Sequence, residues 1–289
     1  MKATTPKTLK DLNITFGHSP DADDAFMFYG LAREMIPTNF KVRHLMEDIE
    51  SLNKRALSGN LEVTAISAAH YPKVVDHYQI MSCGSSVGRN YGPILVSTKK
   101  INEKDLSGLR IAIPGKFTTS YLLLNIFIKQ EIQPIFMHFD KVIDSVKSGN
   151  TDAGILLHEG QITFQEHGLH KILDLGERWF EETSLPIPLG LDLVHKKFSM
   201  RHRREITTVF FKSIKYALEN EETALKYALS FGRGLKTDQG KKFVRMYVNK
   251  DTLNMGQEGL EALNKLFQFA KESGIIETQP NIELCFPDY

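Results

Sequence analysis

Arg110-Ile-Ala-Ile-Pro-Gly-Lys-Phe-Thr-Thr-Ser-Tyr-Leu-Leu-Leu-Asn-Ile-Phe127 reads as a short apolar run, a turn, and a strongly apolar helix over 118–131. The isoleucine-rich run 110–114 is stopped by Pro114-Gly115, which predicts a strand leading into a loop. The same order of strand and helix recurs on both sides. Downstream, 135–139 predicts a strand, 141–147 a helix closed by Gly149, and 153–157 a strand ending directly on His158-Glu159. Upstream, 13–17, 40–45 and 63–67 read as strands, 80–83 as a shorter one, and 92–97 as the opening of a second unit. Between them, 24–33 has helical spacing, and Ile49, Leu52, Ala56 and Leu57 mark one helix face. Such alternation predicts an α/β fold with parallel, covered sheets.

After Leu185-Pro-Ile-Pro-Leu-Gly190, an extended connection because prolines restrict their predecessors too, the pattern changes. Residues 203–220, 222–232, 238–248 and 256–273 are all helical by period. Two α/β units followed only by helices predict a two-lobed clamp with a central cleft. Lobe 1 would hold residues 1–92 plus 196–289 and lobe 2 residues 93–195, with two short crossings as the hinge. Ligands of such sheets sit beyond the carboxyl ends of the strands, here between the lobes.

Composition narrows the function. Of 289 residues, 42% are apolar and 25% charged, which describes an ordinary globular chain. A net charge of +1 provides no cationic face to follow a phosphate backbone, which argues against nucleic acid as a partner. Cys83 and Cys285 lie far apart, without neighbours at zinc or redox spacing, and read as two separate buried thiols. That suits a reducing compartment. Residues 1–12 carry lysines but no apolar stretch, and no later run could span a bilayer. The expectation is a cytoplasmic protein without membrane insertion.

Residues 17–24, 65–67, 114–119 and 157–161 end strands and would face the cleft. Free amides at 115–119, with the hydroxyls of Thr118 and Thr119, could hold an anion, or a threonine could simply cap the helix. It is not a phosphate loop, because the required first glycine is missing. His158 could transfer protons near neutral pH or be satisfied by a backbone carbonyl. A zinc-protease pattern fails at Ile162, and a calcium loop fails at Ala25 and Phe26. Asp21, Asp23 and Asp24 therefore read as caps of a helix start, one of them free to bond a ligand hydroxyl. Gly232-Arg-Gly234 lacks a third glycine and a preceding strand, so no dinucleotide site is expected.

His18-Ser-Pro-Asp-Ala-Asp-Asp-Ala-Phe26 resembles the Ser-Pro-Cys-Pro-Asn-Asp-Thr-Phe opening of the 1,4-dihydroxy-6-naphthoate synthase family. Glu47-Asp-Ile-Glu-Ser-Leu-Asn53, 63–67, 91–96, 112–124, 155–161, 185–190 and Tyr247-Val-Asn249 fit the same family in the same order. The resemblance implies a periplasmic-binding-protein type II fold and a step of the futalosine route to menaquinone. It implies cleavage of cyclic dehypoxanthinylfutalosine to 1,4-dihydroxy-6-naphthoate and dihydroxyacetone, with no metal or organic cofactor and a small anionic aromatic substrate. His158 falls on the family's general base. The family's ligand-contacting threonine falls in Thr118-Thr119, Ser19 and Ser67 match polar cleft positions, and Asp24 matches the opening motif, so these five are the expected substrate-binding residues, with Phe117 and Leu189 as apolar wall candidates. The opening motif departs from the family at Asp21, Ala22, Asp23 and Ala25. Its added acids leave room for a related ligand, including that of a chorismate dehydratase-type enzyme, or for a non-catalytic solute-binding protein of the same fold.

Overall fold

A computed structural model describes residues 9–231 and 236–288, so Gly232-Arg-Gly234 lies outside the described residues. Two sheets organise the chain. The first contains β1 (Asn13–His18), β2 (Lys41–Met46), β3 (Val63–Ser67), β4 (Tyr78–Met81) and β5 (Ser86–Gly88). The second contains β6 (Ile94–Ser97), β7 (Arg110–Ile113), β8 (Gln133–Phe136), β9 (Ala153–Leu156) and β10 (His170–Asp174), in the order β10-β6-β9-β7-β8. The chain then returns to the first sheet as β11 (Ile187–His195) and closes with β12 (Leu284–Cys285). That gives seven strands in the order β12-β4-β11-β3-β1-β2, with β5 beside β11. Each sheet anchors one lobe of an α/β fold.

The sheets are mixed, where strand and helix alternation predicts parallel ones. β1 runs parallel to β2 and β3, and β7 parallel to β8 and β9. β11 is antiparallel to β3, β4 and β5, and β6 is antiparallel to β9 and β10. The physical reason is the route of the chain. A helical crossover within one sheet forces parallel neighbours, but β11 arrives from the other sheet and no crossover sets its direction. It is hydrogen-bonded into the first sheet although it lies inside the stretch assigned by sequence to the second lobe. β10 and the helix Leu175–Thr183, which the sequence reading passed over, fill the return path. Asp174 caps that helix by accepting the N–H groups of Gly176 and Glu177 at 2.8 and 3.1 Å.

The helix predicted over 24–33 breaks at Phe28 into Ala22–Met27 and Tyr29–Ala32. Every residue of the first piece is buried, its two acids included. Phe28 stacks on Phe210 with centroids 4.6 Å apart and on the His18 ring at 4.1 Å, which pins the loop after β1 against the long helix Met200–Glu219. Cys83 and Cys285 are both free and buried, yet they are not separate in space. Thr207 Oγ1 donates to Cys285 Sγ at 3.4 Å while its carbonyl faces Cys83 Sγ at 3.9 Å, because β12 pairs with β4. No described helix is long and apolar enough to cross a membrane.

The outgoing crossing passes very close to the return. A Cβ at Gly176 would lie 2.1 Å from the carbonyl carbon of Tyr91 and 2.4 Å from the amide nitrogen of Gly92. Backbone on both sides cannot yield as a side chain would. Gly176→Ala is therefore expected to lose at least about 2 kcal/mol of folding stability, read as a lower urea midpoint at unchanged slope.

Candidate active site

The loops after β1, β3, β7 and β9 converge on one cleft of about 880 Å³, counting the part open to solvent. Ser19, Asp24, Ser67, Thr118, Thr119 and His158, the residues selected from sequence, all line it. Phe117 is not among its lining residues. Its ring packs on His70 at 4.9 Å, with Lys73 Nζ 4.5 Å from its centroid, so the apolar wall is built instead by Phe139, Leu157, Leu189 and Phe243.

His158 occupies the turn after β9 in a left-handed conformation, φ 51°, unusual for a residue with a Cβ. Such strain costs on the order of 1–3 kcal/mol and marks a position held by its surroundings. With its amide oriented to satisfy both neighbours, Gln161 accepts the His158 N–H at 3.3 Å and donates to Gly92 O at 2.9 Å. Phe139 meets the imidazole edge-on at 5.2 Å, and Phe243 does so at 6.5 Å. Asp21 Oδ2 lies 3.5 Å from His158 Nδ1 and accepts the Ser19 hydroxyl at 2.7 Å. The departure at position 21 thus places a buried carboxylate against the ring.

The acids are concentrated. Asp21, Asp23, Asp24, Glu159 and Asp192 are all buried, and no Lys or Arg lines the described cleft. Burial, with Asp24 beside it, pushes Asp23 up to about 8, partly countered by His158. Burial raises Asp24 to about 7, against the Ser19 N–H, which donates to Asp24 Oδ2 at 2.6 Å. Both groups thus hold protons well above the usual carboxylate range. Among the described residues no group of three or more His, Cys, Asp or Glu is arranged to hold a metal ion.

The helix start after β7 is already occupied. Glu50, from the helix Ile49–Ala56 over the first sheet, accepts the N–H groups of Lys116 and Phe117 at 3.1 and 3.0 Å. A carboxylate there is the anion expected at a helix N-terminus, supplied by the protein itself. Thr118 caps the helix Thr119–Phe127, accepting the Tyr121 N–H at 3.3 Å and donating to Gly115 O at 2.9 Å. Thr119 Oγ1 donates to Leu189 O at 2.8 Å and accepts the Ala69 N–H at 3.1 Å. Ser67 is fixed by Asn53, which accepts its N–H at 2.9 Å and donates to its hydroxyl at 3.1 Å. Glu50, Asp192, Phe139, Phe243 and Tyr247 also line the cleft and were not selected from sequence. Glu50 and Tyr247 lay within the motifs 47–53 and 247–249, and Asp192 stood out as a lone acid between Leu191 and Leu193 in an apolar run.

Solved structures identify the architecture first. The periplasmic aliphatic sulphonate binding protein of Escherichia coli matches over 93% of this chain and 90% of its own, with a TM-score of 0.65 and 11% identity. That likeness shows the two-lobed periplasmic-binding-protein fold and nothing of the chemistry. A crystal structure of an Archaeoglobus fulgidus protein is nearer, with a TM-score of 0.88 at 42% identity, covering 91% of this chain and 98% of that one. The family model described as menaquinone biosynthesis matches residues 14–272. The 1,4-dihydroxy-6-naphthoate synthase of Thermus thermophilus is 34% identical over 267 residues, 92% of this chain and 97% of that protein. The chain belongs to this menaquinone biosynthesis family.

Asp23 supports a stability prediction. Its folded pKa of about 8 lies above the ordinary 3.8, so the folded state binds the proton that the unfolded chain releases between those values. Stability falls as pH rises through that window, at up to about 1.4 kcal/mol per pH unit for one proton. Asp23→Asn should therefore gain stability relative to the parent as pH rises from 4 to 8 and level off above it, in thermal melts across pH. A constant difference would show that Asp23 is ionised in the fold.

Proposed function

We propose that this chain is a cytoplasmic 1,4-dihydroxy-6-naphthoate synthase, a carbon–carbon lyase. It would split cyclic dehypoxanthinylfutalosine into 1,4-dihydroxy-6-naphthoate and dihydroxyacetone. Family membership and the name of the Thermus thermophilus relative support the reaction. The observation that carries the chemistry is His158 on the cleft wall, its Nδ1 facing a buried carboxylate at 3.5 Å. With the Nδ1 proton directed at Asp21, Nε2 is the nitrogen that would accept a proton from the substrate, and the carboxylate would stabilise the resulting imidazolium. Aromatisation of the departing ring then favours cleavage. Only proton transfers are required of the protein.

The substrate is an anion, and among the described residues no Lys or Arg lines the cleft to meet it. Its carboxylate would be held by neutral donors such as the Ser67 hydroxyl, which accepts from Asn53 and keeps its own proton to give, with Ser19 beside it and Thr118 and Thr119 shaping the helix start. Asp24 would meet a hydroxyl. Phe139, Phe243 and Leu189 would sandwich the ring system. Protons on Asp23 and Asp24 keep the site from repelling its ligand, so KM should climb as pH passes about 8, when Asp23 ionises.

The test is incubation of the purified protein with the cyclic futalosine derivative and detection of the dihydroxynaphthoate. Product is expected, and His158→Ala should lower kcat by about 10²- to 10⁴-fold while the affinity for the naphthoate stays within a few-fold. Asp21→Asn should fall between the two. A parent protein that binds the compound and leaves it intact would refute the lyase reading. Unchanged turnover in His158→Ala would remove the base.

A further inference from the structure

Asp192 has no role in the proton transfers above, yet it is built into the cleft. It lies on β11 opposite Ala65 of β3, and both residues line the cavity. Directly opposed strand residues share one face, so carboxyl and methyl point the same way. Asp192 is 2% exposed, and its Oδ1 has no hydrogen-bond partner among the described residues. The other oxygen rests against the loop after β4, where a Cβ at Gly84 would lie 2.4 Å from Oδ2. The titratable groups facing it are Asp24, from the helix Ala22–Met27, and Cys83, from that loop. Burial, with Asp24 beside it, holds the Asp192 carboxyl well above the usual range. Burial without a cation beside it favours the protonated form of such a carboxyl, which can donate a hydrogen bond. A buried polar atom without a partner is costly, and a ligand oxygen would remove that cost.

We propose that Asp192 binds substrate directly, its carboxyl donating a hydrogen bond to a hydroxyl or carbonyl oxygen of the non-aromatic portion and excluding a carboxylate from that position. It thereby sets which way the substrate lies in the cleft. The identity of that oxygen rests on the lyase reading; the presence of a proton-bearing acid does not.

Infrared difference spectra of the whole protein at pH 7 would show a protonated carboxyl band that disappears in Asp192→Asn. Asp192→Ala should raise KM for the cyclic derivative about tenfold or more and weaken dihydroxyacetone binding, detected by ligand NMR. Affinity for the dihydroxynaphthoate should hold. Asp192→Asn, which keeps a donor, should recover most of the loss in KM. Absence of the band, or equal KM values for parent, Ala and Asn proteins that turn over, would overturn the proposal and leave the lyase standing. If the parent shows no turnover but carries the band and loses dihydroxyacetone binding in the Ala variant, the lyase reading fails and Asp192 keeps its role.

Discussion

Burying carboxylates without cations beside them is the constraint that the rest of this site answers to. Asp23, Asp24 and Asp192 line one cleft, Asp21 and Glu159 are buried in the loops that carry Asp23 and His158, and the only basic lining residue among those described is His158. Leaving several buried charges unpaired would cost far more than a domain of this size can spare. The fold relieves this by keeping protons on Asp23 and Asp24 and by pairing Asp21 with His158 and the Ser19 hydroxyl. The loop 19–25 is therefore as much an electrostatic device as a structural one. Its shape depends on Asp24 accepting the Ser19 amide, and its protonation depends on the same burial.

The cleft exists because the chain crosses between sheets and comes back. β11 returns antiparallel into the gap between β3 and β4 and carries Leu189, Gly190, Leu191 and Asp192 to the wall. From the other side, the strand ends of the second sheet bring Thr118, Phe139 and His158. Glu50 links the two sides, its carboxylate lying on the amides of Lys116 and Phe117. Burial raises its pKa, with those amides and Lys54 working in the opposite direction. The helix start thus presents its amides to a carboxylate of the protein itself.

Much of the fold was legible before any coordinates. Val63 to Ser67 reads as a buried strand because every residue is apolar or small, and the structure buries all of them. The strands ending at Gly17, Ser67, Pro114 and Leu157 were visible for the same reason, and they place the selected polar residues around one cleft. What could not be read is direction and partnership across lobes. Nothing local in Leu185-Pro-Ile-Pro-Leu-Gly190 says that it extends into a strand of the first sheet, since that follows from a long-range return. The prolines suggest a connection; tertiary pairing makes it β11. Likewise Thr118 reads equally as a cap or a ligand contact, and only the Glu50 carboxylate from another helix shows how the nearby amides are used.

The departures in the opening motif take on a different meaning in three dimensions. Read along the chain, Asp21 and Asp23 are extra negative charges facing an anion. Placed in the fold, they divide. Asp21 lies beside the imidazole, its Oδ2 3.5 Å from His158 Nδ1. Asp23, with its pKa raised to about 8, is mostly neutral at pH 7 and adds little repulsion. One departure sets a carboxylate against the imidazole and the other is silenced by burial. Charge counted from sequence is therefore a poor guide to charge felt by a ligand, because the burial that forms the cleft also decides which of its acids remain ionised.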